Sequence, residues 1–274
     1  MRMNSTSTVA VLLLSVIFLP GCGKSSDKAD SGRTTDTSRN STGNETTRVK
    51  PNDDGTIPSG TGVEKEKPAP GTGNVQGKVL YNGKPAEGIE VKLCEKFSQY
   101  LDGCSGESYT TRTDGNGEYL IKNVVPKMYE ALTAKVFDTP FYVFATSGYI
   151  SAAKYRIEAD KTYFAPINNL FKNDLKLLSP KAGSKVGSSN TEVKWAEYPD
   201  AAYYKFSINA GISGGGETEY DYINKRVDGL SYTLDKPLKP GTYSCTVSAF
   251  NGNDIKLAQS PDDIEFTVTS AAGK

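Results

Sequence analysis

The chain has 274 residues, 32 Lys plus Arg against 32 Asp plus Glu, and no His. Without an imidazole there is no Ser-His-Asp triad, no Cys-His pair and no His-built zinc site, and a net charge of zero argues against a nucleic-acid binder that relies on a strong overall positive field. With 36% hydrophobic residues, 27 Gly and 14 Pro, the length suits one large domain or two modest ones.

Arg2 precedes an apolar run from Val9 to Leu19, broken only by Ser15. A bilayer core of ~30 Å needs ~20 apolar residues in a helix, so this run is too short to span and fits the h-region of an export signal. The sequence Leu19-Pro20-Gly21-Cys22 that follows resembles a bacterial lipobox. The resemblance implies that residues 1–21 are a lipoprotein signal peptide, that Cys22 is the lipidation site, and that several acyl chains anchor the protein stably to a membrane. Gly23 after the Cys, by resemblance to enterobacterial sorting, points to the outer membrane or cell surface. The alternative is an ordinary signal peptide with an incidental Cys22.

From Gly23 to Thr72 there is no aromatic residue, and the branched aliphatics are Val49, Ile57 and Val63 alone. Such a stretch buries too little apolar area to offset its ordering entropy, so residues 22–72 are expected to be a lipidated Cys on a disordered linker with an r.m.s. span of ~40 Å. A glycosylated or cell-wall-binding stalk is the other reading.

Residues 73–178 read as a first β-module. Val75 to Tyr81 alternates apolar and polar residues and turns at Asn82-Gly83, the strongest short hairpin signal. Ile89, Val91 and Leu93 alternate again, and Thr113-Asp114-Gly115-Asn116-Gly117 is a tight turn feeding Glu118 to Ile121. The ordered set Val75, Gly77, Val79, Gly83, Pro85, Gly88, Val91, Leu93, Thr113, Asp114, Gly117, Tyr119, Val124 and Pro126 resembles the carboxypeptidase regulatory-like domain, a transthyretin-like sandwich. That resemblance implies an accessory module that packs, spaces or binds without catalytic apparatus. Asp114, Asn116 and Glu118 alternate like the start of a calcium loop, but the distant bidentate Glu is missing, so a turn in which Asp114 bonds its own backbone is the better reading and no metal is expected. Cys94 and Cys104, ten apart in an exported chain, favour a disulfide over two buried thiols.

Residues 179–274 read as a second β-module. The strand Val193-Lys194-Trp195, the Ala-x-x-Tyr around Tyr204, Leu238-Lys239-Pro240-Gly241-Thr242-Tyr243 and the closing Phe266-Thr267-Val268 resemble a fibronectin type III-like sandwich. The resemblance implies that Trp195 fills the core and that Tyr243 pins a corner. Cys245 shares a face with Val247 and Ala249 by period two and reads as a buried small residue.

The fold class is therefore all-β, two consecutive antiparallel β-sandwich domains after a disordered N-terminal tether. Tyr220, Tyr222 and Tyr232 form a Tyr-rich stretch beyond Gly214-Gly215-Gly216 and are the candidate ligand-binding residues, as rings that stack on sugars. Adjacent carboxylates such as Asp262 and Asp263, or Glu217 and Glu219, give no sign of facing across a cleft as acid–base catalysis requires. The expected function is a non-catalytic, membrane-anchored envelope lipoprotein that displays, adheres or binds. It needs no cofactor, and its partners are the membrane through the N-terminal lipid and a carbohydrate or envelope protein. The alternatives are a dedicated carbohydrate-binding lipoprotein and a cryptic hydrolase.

Overall fold

A computed structural model of the chain describes residues 51–98, 103–145, 153–189, 191–210, 222–261 and 264–270. The expectations for Cys22, for the carboxylates at 217, 219, 262 and 263, and for Tyr220 lie outside these residues.

Among the described residues the regular structure is β. The first module contains β1 (Gly73–Tyr81), β2 (Lys84–Pro85), β3 (Glu90–Ser98), β4 (Gly103–Arg112), β5 (Glu118–Val124), β6 (Met128–Tyr129), β7 (Ala131–Lys135), β8 (Tyr142–Phe144), β9 (Tyr155–Arg156), β10 (Thr162–Phe164) and β11 (Asn168–Leu170). One sheet gathers β2, β5, β10 and β11 around β1, and the other runs β4-β3-β7-β8, with β6-β9 a separate ribbon. Period-two alternation sends Val75 and Val79 of β1 and Tyr119 and Ile121 of β5 into one core with Val91 and Leu93 of β3 and Leu132 and Ala134 of β7.

The second module contains β12 (Leu177–Ser179), β13 (Lys185–Gly187), β14 (Glu192–Trp195), β15 (Tyr203–Ala210), β16 (Lys225–Val227), β17 (Ser231–Thr233), β18 (Gly241–Phe250), β19 (Lys256–Gln259) and β20 (Glu265–Thr269). A three-stranded sheet, β12-β14-β17, faces a six-stranded one, β13-β20-β18-β15-β16 with β19 on β18. Trp195 is 1% exposed and packs against Tyr204 and Phe206, and Tyr243, Cys245, Val247 and Ala249 of β18 point inward in strict alternation. The tyrosine corner forms as expected. Tyr243 Oη donates to the carbonyl of Lys239 at 2.9 Å.

Among the described strands, pairing is antiparallel except where an early strand of a module meets a late one: β1 runs parallel to β10 and β11, and β13 parallel to β20. Leu175 is buried in the second core, and β12 begins at Leu177.

The largest departure from the sequence reading is at residues 51–72. This half of the expected disordered linker is an ordered strap on the first module. Ile57 is 2% exposed and belongs to that module's core, and its carbonyl accepts the Tyr163 phenol at 3.0 Å. The segment holds few apolar residues of its own, but one Ile plugs a core built by other residues, worth roughly 1.5–3 kcal/mol of burial, while the polar remainder is ordered by long-range hydrogen bonds.

Candidate functional site: the strap and the module junction

The strap seals a sheet edge. Gly60 N donates to the Phe164 carbonyl at 2.9 Å, Phe164 N donates to Ser59 Oγ at 2.9 Å, and the backbones of Thr56 and Lys154 form a parallel bridge. The strap thus takes hydrogen bonds that edge strand β10 would otherwise present unpaired. Farther on, Lys65 places its ammonium 2.8 Å from both Asp114 Oδ2 and Glu118 Oε2, and Glu66 pairs with Lys122. The chain then returns to β1 through Gly71 N, which donates to Asp160 Oδ1 at 2.8 Å.

These contacts explain the calcium-like spacing. Asp114 Oδ1 accepts the backbone amides of Asn116 and Glu118 at 2.9 and 3.0 Å, the self-bonded turn the sequence suggested. The outward lobes of Asp114 and Glu118 meet the Lys65 ammonium. The Lys65 hydrogen bond, followed by the Glu118 backbone amide, holds the Asp114 carboxyl below its ordinary value, and the Asp114 and Glu118 hydrogen bonds raise Lys65. Gly117, at φ 71°, closes this turn with its α-carbon so placed that a Cβ would stand 2.5 Å from the Val79 carbonyl.

Between the strap and the ribbon β6-β9 lies an open cleft of about 460 Å³ lined by Asn52, Asp54, Ser59, Arg156, Glu158 and Lys161, among others. Its charges are already matched: Arg156 meets Asp54 at 3.4 Å and Lys161 meets Glu158 at 2.5 Å.

The opposite end of β1 docks the second module. Asn82 and Gly83 adopt φ of 51° and 72°, as a two-residue hairpin turn requires. The Asn82 side chain is turned outward onto two loops of the second module. Its Nδ2 donates to Asp200 Oδ2 at 2.9 Å, and its Oδ1 accepts Asn251 Nδ2 at 2.7 Å. Asn251 is itself fixed, since its Oδ1 accepts the amides of Asn253 and Ile255 at 2.9 and 3.0 Å.

The connecting residues add backbone pairing. Lys172 N donates to the Leu257 carbonyl at 2.9 Å, and its own carbonyl accepts Gln259 N at 2.8 Å. The Lys172 ammonium returns to the first module, 5.4 Å from the ring centroids of both Tyr81 and Phe137, which pack edge to face at 5.3 Å. Tyr198 donates to Asp174 Oδ1 at 2.9 Å. Burial raises its phenol well above the ordinary range, with hydrogen bonding to Tyr81 and Asp174 acting in the same direction.

The remaining sequence candidates fall as follows. Cys94 and Cys104 are bonded, with 5.4 Å between their Cα atoms, and tie β3 to β4. Beside them Lys127 bridges Glu95 and Glu107 at 2.9 and 2.7 Å. Tyr222 is corrected: it is 1% exposed, stacks on Phe206 and donates to Asp235 Oδ1 at 2.7 Å, so its ring offers no face to a sugar. Tyr232 is partly buried against Phe206 with the Lys225 ammonium 5.3 Å from its centroid, so its ring is occupied by the protein itself. Cys245 is buried and free, and burial pushes its thiol up to about 12, which suits packing and not nucleophilic attack. The sequence marks Asn82 as a turn former. Its docking role carried no local signal, because its partners lie 118 and 169 residues away.

No protein-family model matches the chain, and no curated protein matches its sequence. Among solved structures it is similar to the fibronectin(III)-like modules of Clostridium thermocellum CbhA, at 13% identity and TM-score 0.28 over 73% of this chain and 93% of that one. A DUF3823 family protein from Bacteroides ovatus aligns at 11% identity and TM-score 0.25 over 72% of this chain and 98% of that one. The major pilin SpaD from Corynebacterium diphtheriae aligns at 12% identity and TM-score 0.23 over 72% of this chain and 64% of that one. Scores this low bear on neither fold nor function.

Proposed function

We propose that the protein is a non-catalytic display module, lipid-anchored through Cys22 in a bacterial envelope, whose two sandwiches form one stiff spacer. The observation that carries the reading is the double hydrogen bond of Asn82 to Asp200 and Asn251, which fixes the first module's hairpin to the second. The geometry suits that role. The strap meets the Gly73 end of β1, where Thr72 receives Asp160 N, and the second module docks at the Tyr81 end. Eight residue steps at ~3.3 Å place these two attachments about 26 Å apart along one strand.

The reading of the first module as carboxypeptidase regulatory-like is supported by where its motif residues work. Thr113 Oγ1 donates to the Ala86 carbonyl at 2.6 Å and accepts Ile89 N at 2.9 Å, Asp114 makes the self-bonded turn, and Gly77 lies where a Cβ would run into the Tyr119 phenol. The test is metabolic labelling with palmitate. Incorporation lost in Cys22→Ser, together with a single rigid envelope for residues 51–274 in small-angle scattering, is the expected result. Absence of label in the wild-type chain would remove the anchoring half, and independent motion of the two modules the spacer half.

A further inference from the structure

On the outer face of the six-stranded sheet, one register row crosses four strands: Arg226 of β16, Lys205 of β15, Ser248 of β18 and Gln259 of β19. Adjacent strands lie ~4.8 Å apart, so Lys205 and Arg226 are directly opposed like charges, an arrangement that costs stability. What holds them is a ring pair one step along the sheet. Tyr203 and Phe250 are register partners and stack at 5.2 Å with 3° between their planes. The Arg226 guanidinium sits 3.8 Å from the Tyr203 centroid, and the Lys205 ammonium 4.8 Å from the Phe250 centroid. Tyr203 is 3% exposed beneath these cations, so over that ring it is the cations that face outward.

The nearby carboxylates leave this charge incompletely answered. Asp228 meets Arg226 at 3.3 Å with both side chains more than half exposed, a pair of small worth. Asp254 accepts the Tyr203 phenol at 2.8 Å. Lys205 makes no ion pair among the described residues. Lys256 of β19, the register partner of Phe250, hydrogen-bonds Gln259 and holds its ammonium 3.9 Å from the Phe171 ring centroid.

We infer that this row binds an anionic polysaccharide. Its carboxylates would bridge Lys205 and Arg226 and relieve their repulsion, while Ser248, with Thr246 two residues along the same face, would hydrogen-bond sugar hydroxyls. The hydroxyl groups beside the cations favour a glycan over a lipid surface, to which they contribute little. The inference rests on the reading of the chain as a display module and supplies what is displayed.

The test uses the full chain with Cys22→Ser, so that acylation plays no part and failure here leaves the anchoring claim untouched. Polygalacturonate is the probe, dextran the neutral control, and phosphatidylglycerol vesicles the lipid control. Expected are polygalacturonate binding that weakens with salt, a tenfold or greater loss in Lys205→Gln/Arg226→Gln with an unchanged or raised melting temperature, and no loss in Lys194→Gln on the other sheet. The inference is overturned if polygalacturonate is not bound at low salt, if dextran binds as well, if the double variant binds like wild type, if Lys194→Gln loses as much, or if vesicles are bound and polygalacturonate is not.

Discussion

Tyr243 donates its phenol to the carbonyl of Lys239, four residues upstream, at 2.9 Å, and Tyr129 in the first module donates to the carbonyl of Val125 at the same separation and the same distance. In both modules a buried ring is thereby fastened to the chain that leads into its own strand. The ring supplies apolar burial and the hydroxyl satisfies a carbonyl that a corner would leave without a partner. Tyr243→Phe keeps the ring and removes the bond, so it should cost about 1 kcal/mol, a drop of roughly 4–8 °C for a domain of this size. Calorimetry should place the shift in the second module's transition. An unchanged profile would mean the bond contributes nothing net.

Ile57 gives the strap its only fully buried aliphatic side chain among the described residues. Ile57→Ala should destabilise strap attachment by about 2–4 kcal/mol, since it removes methyls from a packed core. Because the rest of the strap is held mainly by exposed hydrogen bonds and ion pairs, the loss should appear as local release before global unfolding. Limited proteolysis should cut between residues 51 and 72 faster in the variant, while amides of β1 and β3 stay protected. Equal cleavage rates would show that the edge hydrogen bonds to Phe164 suffice alone.

The strap also has an acid-side limit. Asp114 is held below its ordinary value of 3.8 by Lys65, and Asp54, near the start of the strap, is lowered by its hydrogen bonds to Thr56. A depressed carboxyl contributes stability above its unfolded pKa that is lost as pH falls through the folded one. The strap should therefore be intact at neutral pH and loosen below about pH 4. Hydrogen exchange at Gly60 and Lys65 followed from pH 6 to pH 3, corrected for intrinsic rates, should show this, and Lys65→Met should abolish the Asp114 part of it. Both groups are exposed, so the effect should shrink in high salt.

How much of this was readable depended on the range of the interaction. Asn82-Gly83 and the Asp114 turn are set by neighbours within a few residues, and each stands where the local pattern placed it, while Trp195 and Tyr243 stand as the fibronectin type III-like resemblance implied. The strap and the docking side chain of Asn82 are set by partners scores of residues away, which no local pattern records. Tyr222 failed for another reason. It lies in a single turn before β16, where strand alternation does not govern direction, and its phenol is aimed at Asp235 and Lys236. Counting tyrosines identified a rich segment but not which way the rings face.

The junction yields the prediction that bears most on a spacer. Asn82 satisfies Asp200 and Asn251 at once, so Asn82→Ala leaves two polar groups to water and removes both side-chain ties from the β1 turn. The backbone pairing of Lys172 with Leu257 and Gln259 remains, and it restrains the connection without fixing the hairpin. The expected cost is about 1–3 kcal/mol, paid in docking and not in either core. Small-angle scattering should then show a broader distribution of interatomic distances, with the two unfolding transitions moving apart. Lys172→Met should act in the same direction but less, because it removes a cation–π contact worth about 0.5–2 kcal/mol while retaining a chain that still packs on Tyr81 and Phe137. Should Asn82→Ala scatter like the wild type, stiffness would reside in the Lys172 pairing, and the double variant would be the one to separate the modules.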